Sequence, residues 1–375
     1  MIYFDNAATT KYKPQEVYDA AFEYMREIGV SPGRGSYQLG IEASRRLYRT
    51  RCCVGKFFGL SEIDRVVFTK NSTEAINLLF NGLLQEGDHI VITCFEHNAV
   101  LRPLETLKRD RKIDYSVINM DDLSLPPEEI YKKYVTERTK LVGYTLASNL
   151  TGRIVFRPDV FKLFKEKGIR TFLDASQGGG KIELSMKTQG IDYLAFTGHK
   201  DLLAIPGVGG LCCEKNELPK PLLQGGTGIH GEDYVNPNIF PEGYEAGTLN
   251  MPAIYSLKAS LEYIEKERDS IQSQENDLIS MALKELDKIS AVKIYDRDLD
   301  RVPTFCFNIE GIPSDQVVAF LDKKGFCVRG GIHCAILAHE AINTVEKGAV
   351  RVSLNYQNTK EEVCLLTEAL KELCE

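Results

Sequence analysis

The chain has 375 residues, of which 43% are hydrophobic and 26% are charged, and its formal net charge is −7. This usage is typical of a globular protein with a sizeable core and argues against disorder. An acidic balance without a basic run argues against nucleic acid or an anionic membrane as the main partner. No apolar run approaches the ~20 residues of a spanning helix, and the first residues lack the features of a signal peptide. We therefore expect a cytoplasmic protein that acts on a small molecule or binds another protein.

The ten cysteines lack the dense, regular spacing of a disulfide framework. The adjacent pairs Cys52-Cys53 and Cys212-Cys213 have no second pair at finger-like spacing with histidine, so no metal site is expected. The default interpretation of each cysteine is a reduced, buried and inert thiol.

Apolar β-rich runs alternate with helical periodicity from about residue 65 to 215, which is typical of a mostly parallel α/β sheet. The predicted strands lie at 66–68, 90–92, 141–144, 171–173, 193–196 and 209–211. A long helix is predicted from 252 to about 290. Beyond it we predict strands at 292–294, 305–307 and 350–352, a helix at 315–324 and a terminal helix opened by the capping box 359–362.

This order of elements predicts two domains, as the length also favours. We place a large α/β domain at 15–255. A small α+β domain is expected at 256–375, completed by the N-terminal residues 1–14.

Polar residues follow five of the predicted strands. Ligands of such sheets gather at the carboxyl ends of the strands, so these residues predict one shared pocket. The segments are 70–73, 94–97, 148–149, 174–177 and 197–200.

Lys200 follows a predicted strand in Thr197-Gly198-His199-Lys200. Its amine there could hold an aldehyde cofactor, pyridoxal 5′-phosphate (PLP), as a Schiff base, although a lone loop lysine is usually solvated surface. Asp174, which ends another strand, could pair with the pyridinium nitrogen or simply cap a helix. Gln177 could donate to the phenolic oxygen of the ring.

The segment Asn71-Ser72-Thr73-Glu74 opens an apolar-periodic helix, and helix starts bind phosphate through N–H groups and hydroxyls. The same segment fits a capping box formed by Asn71 and Glu74. Thr197 and His199 could complete a phosphate cup. His97 could stack on the ring, whereas an isolated histidine is more often a structural hydrogen-bonding group.

Seven segments, in family order and covering nearly the whole chain, resemble the cysteine desulfurases of the class V aminotransferase fold. They are Phe4-Asp5-Asn6-Ala7-Ala8-Thr9-Thr10, Thr73-Glu74-Ala75-Ile76-Asn77, Glu96-His97, Ser148-Asn149, Asp174-Ala175-Ser176-Gln177, Thr197-Gly198-His199-Lys200 and Glu245-Ala246-Gly247-Thr248. The resemblance implies a PLP-dependent transferase of fold type I. It implies His97 stacking on PLP, Asp174 on the pyridine nitrogen and Gln177 on the phenolic oxygen, with Asn149 helping to orient cofactor or substrate. It implies a phosphate site made by Thr73, Thr197 and His199, to which Ser72 at the helix start is added, and a homodimer in which Gly247 and Thr248 reach the partner's cofactor.

The segment Arg329-Gly330-Gly331-Ile332-His333-Cys334 resembles the Arg-x-Gly-x-His-Cys segment of group II desulfurases and selenocysteine lyases. Arg329 can clamp the substrate carboxylate, and a Cys334 thiolate can attack the substrate sulfur. Arg351, Asn149 and Ala8 are the further residues expected at the substrate. The chain departs from this group at Ile332, where a second histidine is common, and at Ile336-Leu337, where a Gln-Pro-like pair is usual.

The resemblance implies removal of sulfur from L-cysteine to give L-alanine and a Cys334 persulfide that is passed to an acceptor protein. Lys200, as general base, His97 and Cys334 are the predicted catalytic residues. Selenocysteine lyase activity on L-selenocysteine is the nearest alternative. A class V transaminase or epimerase that does not use Cys334 and a sulfur-assembly scaffold with little turnover are the others. The acceptor stays open between an iron–sulfur scaffold, a tRNA-thiolation carrier and a selenium pathway.

Overall fold

The computed structural model describes residues 1–33, 35–214 and 217–375. In chain order its strands are β1 (Ile2–Tyr3), β2 (Val66–Thr69), β3 (His89–Thr93), β4 (Asp114–Ile118), β5 (Thr139–Thr145), β6 (Arg170–Asp174), β7 (Tyr193–Thr197), β8 (Gly209–Cys213), β9 (Val292–Ile294), β10 (Thr304–Ile309), β11 (Phe326–Cys327), β12 (Arg329–Gly331) and β13 (Ala349–Ser353). Its α-helices are α1 (Gln15–Glu23), α2 (Gln38–Phe57), α3 (Ser72–Leu83), α4 (Asn98–Arg111), α5 (Pro127–Tyr134), α6 (Pro158–Glu166), α7 (Met186–Gln189), α8 (Met251–Leu286), α9 (Ser314–Lys323), α10 (Ile336–Ala341) and α11 (Lys360–Cys374). Across these residues, no helix is both long enough and apolar enough to cross a bilayer.

The large sheet has seven strands in the order β2-β8-β7-β6-β5-β3-β4. Strand β8 runs antiparallel to both of its neighbours, and the other adjacent pairs are parallel. The predicted mostly parallel sheet is therefore confirmed. Strand β4 was not predicted, because it is an edge strand whose residues are mostly only half-buried and so lack a continuous apolar run.

Side chains alternate between the two faces of this sheet along each strand. Both faces are buried. Leu173 and Leu194 belong to the core on one face, whereas Phe172 and Tyr193 belong to the core on the other. On the second face the ring of Phe80 packs edge-on against Phe172, with ring centroids 5.5 Å apart. The continuous apolar runs of the central strands reflect this two-sided burial.

A second, smaller sheet has four antiparallel strands in the order β12-β13-β10-β9. Helix α8 connects the two sheets. Its first half buries side chains in the core of the large sheet, such as Leu257 and Leu261, and its second half buries Leu278 and Leu283 in the core of the small sheet. The predicted long helix is confirmed and ends at Leu286.

Helix α11 opens with the predicted capping box. The Thr359 side chain accepts a hydrogen bond from the Glu362 N–H, and the Glu362 carboxylate accepts one from the Thr359 N–H. The box at the start of α3 is only half as predicted. Asn71 accepts from the Glu74 N–H at 3.0 Å, but the Glu74 carboxylate accepts from Lys70 N–H, one residue before the cap.

The N-terminal segment lies between the two sheets. Strand β1 pairs in parallel with β11, and Asp5 forms a bridge with Ser353 at the end of β13. Further along, the Lys13 ammonium donates to the His199 carbonyl at 2.9 Å. The first residues of the chain therefore contact both the small sheet and the loop that carries Lys200.

Candidate active site

The carboxyl ends of neighbouring strands bring polar side chains together at one edge of the large sheet. Thr145 ends β5, Asp174 ends β6 and Thr197 ends β7, and the strand register pairs Thr145 with Asp174. All three are buried. The structure thus has the polar edge at which ligands of such sheets bind.

Lys200 lies in the turn after β7, and its backbone carbonyl accepts a hydrogen bond from the Thr10 hydroxyl at 2.7 Å. Burial is the main cause that lowers the pKa of the Lys200 amine, and the positive charges of Arg351 and Arg329 add to it, while Asp174 opposes it. A lowered pKa leaves more of the amine neutral. A neutral amine is what Schiff-base formation requires.

The Asp174 carboxyl group is 3% exposed and accepts a hydrogen bond from the Ser176 N–H at 3.0 Å and another from the Ser176 hydroxyl. Burial raises its pKa, while the Ser176 hydrogen bonds and the Lys200 charge oppose that rise. Asp174 is therefore a buried carboxyl group on which the positive charge of Lys200 acts. Such a group suits a positively charged partner, as a pyridinium nitrogen would be.

His97 caps helix α4 through its ring. Nδ1 accepts a hydrogen bond from the Ala99 N–H at 2.9 Å, so the proton of the neutral ring sits on Nε2. Burial, followed by the charges of Lys200 and Arg351, lowers the His97 pKa to about 4. The ring is consequently neutral at physiological pH and free of charge repulsion with the lysine.

The start of α3 and the end of β7 offer hydrogen-bond donors to an anion. The first N–H groups of a helix, here those of Ser72 and Thr73, have no intrahelical partner. The Thr197 hydroxyl is buried, and among the described residues it has no hydrogen-bond partner. Buried polar groups rarely lack a hydrogen-bond partner. The Thr197 hydroxyl therefore fits a site that takes a phosphate ligand. His199 is held nearby through Nδ1, 3.0 Å from the Thr9 hydroxyl.

Gly247 and Thr248 line a cavity of about 700 Å³ together with Asn71 and His199. Their loop is anchored by a contact that the sequence analysis missed. Arg51 and Glu245, both buried, form two hydrogen bonds of 2.7 and 2.9 Å between guanidinium and carboxylate. The sequence signal for Glu245 was its place in the Glu-Ala-Gly-Thr segment, whereas nothing in the sequence singled out Arg51 on α2.

Gln177 is buried, and its Nε2 donates to the Ala7 carbonyl at 2.8 Å. This contact places the N-terminal loop, including Ala8, beside the end of β6. One amide hydrogen of Gln177 is used in this way, and the second stays available for an oxygen of a ligand.

The two predicted substrate arginines differ in their surroundings. Arg351 is 2% exposed, and its guanidinium donates to the Asp5 carboxylate at 2.6 Å and to the Asn149 carbonyl at 2.9 Å. Arg329 pairs with Arg351 across β12 and β13, yet it is exposed and has no carboxylate partner within the described part of the chain. Arg329 is thus the arginine whose charge is available to a carboxylate ligand.

Cys334 lies in the turn between β12 and α10, half-buried. Its carbonyl accepts from the Asn98 N–H at 2.8 Å, and the preceding carbonyl of His333 accepts from the Asn149 amide at 2.8 Å. A cavity of about 350 Å³ is lined by Cys334, His97 and Thr73 among others. The predicted nucleophile, ring-stacking residue and phosphate residue therefore share one cavity.

The other cysteines include several that are fully enclosed. Burial raises the pKa of Cys94 and of Cys213 to about 12, and it raises the pKa of Cys212 as well. Such thiols stay protonated and unreactive. Cys334 differs from them because its side chain reaches a cavity.

Glu96, beside His97, is a second residue of the site whose part was not predicted. It is 1% exposed, and its Oε1 accepts from the Thr93 hydroxyl at 2.6 Å and from the Thr145 N–H at 2.7 Å. Its Oε2 is buried without a partner among the described residues. Burial raises the Glu96 pKa to about 8, with the Asp174 charge contributing. Glu96 is therefore mostly protonated at neutral pH.

Comparison with known proteins places this site in a family. Residues 2–366 match the profile of Aminotransferase class-V. A protein of Methanothermobacter thermautotrophicus named "Probable cysteine desulfurase" is 34% identical over 99% of this chain and 94% of its own length. A protein of Pyrococcus abyssi with the same name is 33% identical over 100% of this chain and 94% of its own length. The apo structure of a cysteine desulfurase from Thermococcus onnurineus NA1 superposes with a TM-score of 0.89 at 31% identity, covering 100% of this chain and 94% of that one.

The chain belongs to the aminotransferase class-V family, in agreement with the resemblance seen in its sequence. The predicted fold type I and the predicted PLP cofactor are confirmed with it. Within this family the relatives and the solved structure named above are cysteine desulfurases, so the predicted enzyme class is confirmed as well.

Proposed function

We propose that this chain removes sulfur from L-cysteine, releases L-alanine and holds the sulfur as a persulfide on Cys334. The observation that carries the proposal is the cavity shared by Cys334 and His97, together with Arg329, an arginine without a carboxylate partner among the described residues whose charge acts on His97. A nucleophile, a ring-stacking residue and a carboxylate-binding group are the parts that this reaction requires.

The described residues fit PLP at the carboxyl edge of the large sheet. Lys200 would hold its aldehyde carbon, Asp174 its ring nitrogen, Gln177 its phenolic oxygen and His97 the face of its ring. The unpartnered Thr197 hydroxyl, with Ser72, Thr73 and His199, would hold its phosphate. When bound, PLP withdraws electrons from the substrate Cα and so makes its proton acidic.

Lys200 is the group that moves this proton. Its lowered pKa would leave the Nζ atom, when it is free and neutral, able to accept a proton from the substrate Cα. The charges of Arg351 and Arg329 keep that pKa low, and Asp174 limits how far it falls.

Arg329 and Asn149 orient the substrate. The Arg329 guanidinium would bind the carboxylate through two parallel hydrogen bonds. Arg351 would act mainly as a positioning residue, because its guanidinium already holds Asp5 and the Asn149 carbonyl. Gln177 binds the carbonyl of Ala7. Ala8, the next residue, would therefore line the site on that side.

Cys334 then takes the sulfur. Its thiolate attacks the substrate Sγ, so that an S–S bond forms and the C–S bond breaks. The electron pair of the broken bond stays with the carbon skeleton, which gains protons and leaves as L-alanine. The persulfide sulfur passes to an acceptor protein with a thiol. We further propose a homodimer, in which Gly247 and Thr248 reach the partner's cofactor, and a cytoplasmic enzyme.

The test measures L-alanine and sulfide formed from L-cysteine in the presence of a thiol reductant. We expect the wild type to form both and Cys334→Ser to lose turnover while keeping the absorbance of the bound cofactor. Cys364→Ser, at an exposed thiol on α11, is the matched control and should keep full activity. Equal activity of Cys334→Ser and the wild type would rule out the nucleophilic role. Selenide release from L-selenocysteine by Cys334→Ser, without desulfuration, would favour the lyase alternative.

A further inference from the structure

Two histidines on either side of Cys334 in the sequence have stacked rings. The rings of His333 and His339 are nearly parallel, at an interplanar angle of 6°, with centroids 5.8 Å apart. His333 is 5% exposed and His339, on α10, is 0% exposed. The proposed function assigns no part to His339, and burying two imidazole rings against each other needs an explanation.

Each ring is held by a single hydrogen bond. His333 Nε2 lies 3.2 Å from the Arg329 carbonyl and donates to it. His339 Nδ1 lies 2.7 Å from the Thr344 hydroxyl. The remaining nitrogens, His333 Nδ1 and His339 Nε2, are buried without a partner among the described residues. Burial lowers the pKa of both rings, so two neutral rings face each other without charge repulsion.

The turn in front of these rings is strained. His333 has a φ of 54° and Cys334 a φ of 56°, so two successive residues with side chains occupy the left-handed region. Residues with side chains persist in this region only where their surroundings fix them. The backbone of the turn is fixed by Asn149 and Asn98, which bind the carbonyls of His333 and Cys334.

The His339 ring packs against the His333 ring and restricts its position. The His339 backbone is itself tethered, since its N–H donates to the Ala335 carbonyl at 3.0 Å and its carbonyl accepts from the Thr344 N–H at 2.8 Å. The His339 ring thus provides a rigid surface against which the His333 ring packs. Without it, the only hydrogen bond described for the His333 ring would be the one to the Arg329 carbonyl.

We propose that His339 is a positioning residue for Cys334, because its ring, stacked on His333, maintains the left-handed turn that presents the thiol to the cavity of His97. The inference rests on the proposed function for its effect on turnover. Its effect on the geometry of the thiol does not depend on turnover.

The experiment follows the Cys334 thiol directly in the cofactor-loaded protein. Iodoacetamide labelling is resolved by peptide mass spectrometry, with the exposed Cys364 as the internal reference. In His339→Ala we expect labelling of Cys334 to rise severalfold while that of Cys364 is unchanged. The kcat for alanine formation should fall about tenfold or more, with KM and cofactor absorbance unchanged, because a misplaced reacting group slows the chemical step.

Two further variants separate stacking from general packing. His339→Phe keeps an aromatic face and should retain most of the wild-type kcat and labelling rate. Thr344→Val removes the hydrogen bond to the ring at nearly constant volume and should change both quantities in the same direction as His339→Ala, but less. This variant also tests the inference if His339→Ala does not fold.

The inference is overturned if His339→Ala labels and turns over like the wild type, or if His339→Phe is as impaired as His339→Ala. Unchanged labelling in Thr344→Val, when His339→Ala fails to fold, overturns it too. The labelling outcomes are independent of the proposed function, which fails if Cys334→Ser keeps desulfuration.

Discussion

Glu96→Gln should remove a pH dependence of stability that the wild type carries. The folded protein keeps the Glu96 pKa at about 8, against an ordinary value of 4.5. Between these two values the folded state binds more protons than the unfolded state. The free energy of unfolding therefore falls as pH rises through this range. Since one pKa unit corresponds to about 1.4 kcal/mol, full ionisation of Glu96 costs about 5 kcal/mol.

Between about pH 6 and about pH 9 the expected loss from Glu96 alone is about 3 kcal/mol. Glutamine avoids it because it is neutral throughout and its Oε1 can still accept from Thr93 and Thr145. The assay is urea unfolding of cofactor-free protein at both pH values. Far-UV circular dichroism is the probe, since the chain has no tryptophan for fluorescence.

The control is Glu368→Gln, at an exposed position of α11, which should follow the wild type at both pH values. All titrating groups other than Glu96 are common to the wild type and Glu96→Gln, so the difference between these two proteins isolates Glu96. Parallel slopes of stability against pH for the wild type and Glu96→Gln would show that Glu96 ionises normally and would refute the reasoning.

Three other substitutions test the site and its support. Lys200→Ala should lose cofactor absorbance on desalting, because the covalent link to PLP is gone; retained absorbance would contradict the assignment. Arg51→Met leaves the buried Glu245 carboxylate unpaired and should lower stability in urea by about 3–5 kcal/mol; a loss under about 1 kcal/mol would show that the pair is not needed. Gly152→Ala should cost at least about 2 kcal/mol in the same assay, since its φ is +76° and a Cβ would lie 2.0 Å from the Thr304 carbonyl oxygen; wild-type stability would exclude that clash.

The sequence predicts those parts of the fold that have a strong local signal. The central strands are buried over most of their length and contain apolar runs, so all of them were located. The cap of α11 also has a local signature. Strand β4 was missed because an edge strand buries little, and its polar residues break the pattern. The carboxylate of Glu74 binds one residue earlier than a capping box requires, which the sequence spacing cannot show.

The site was predictable only in so far as its residues sit in family segments. Lys200, Asp174 and Cys334 follow strand ends or lie in a recognisable segment. Arg51 and His339 do not, because their contacts depend on pairing across long stretches of chain or on ring orientation. The occupation of Arg351 by Asp5 is likewise a tertiary contact, between residues 346 positions apart. The experiments described above test the roles of Arg51 and His339.

The contacts of the N-terminal segment have a consequence for synthesis of the protein. Asp5 is synthesised 346 residues before its partner Arg351, and its second partner, Ser353, follows on the same strand. Asp5 must therefore stay without these two partners until β13 has been synthesised. Thr10 and Lys13 contact the loop of Lys200. Only when Asp5 is also bound is the segment held on both sides of its contact with this loop. A ribosome-bound chain truncated before residue 349 should consequently bind the cofactor poorly, even though the large sheet is already complete by residue 213.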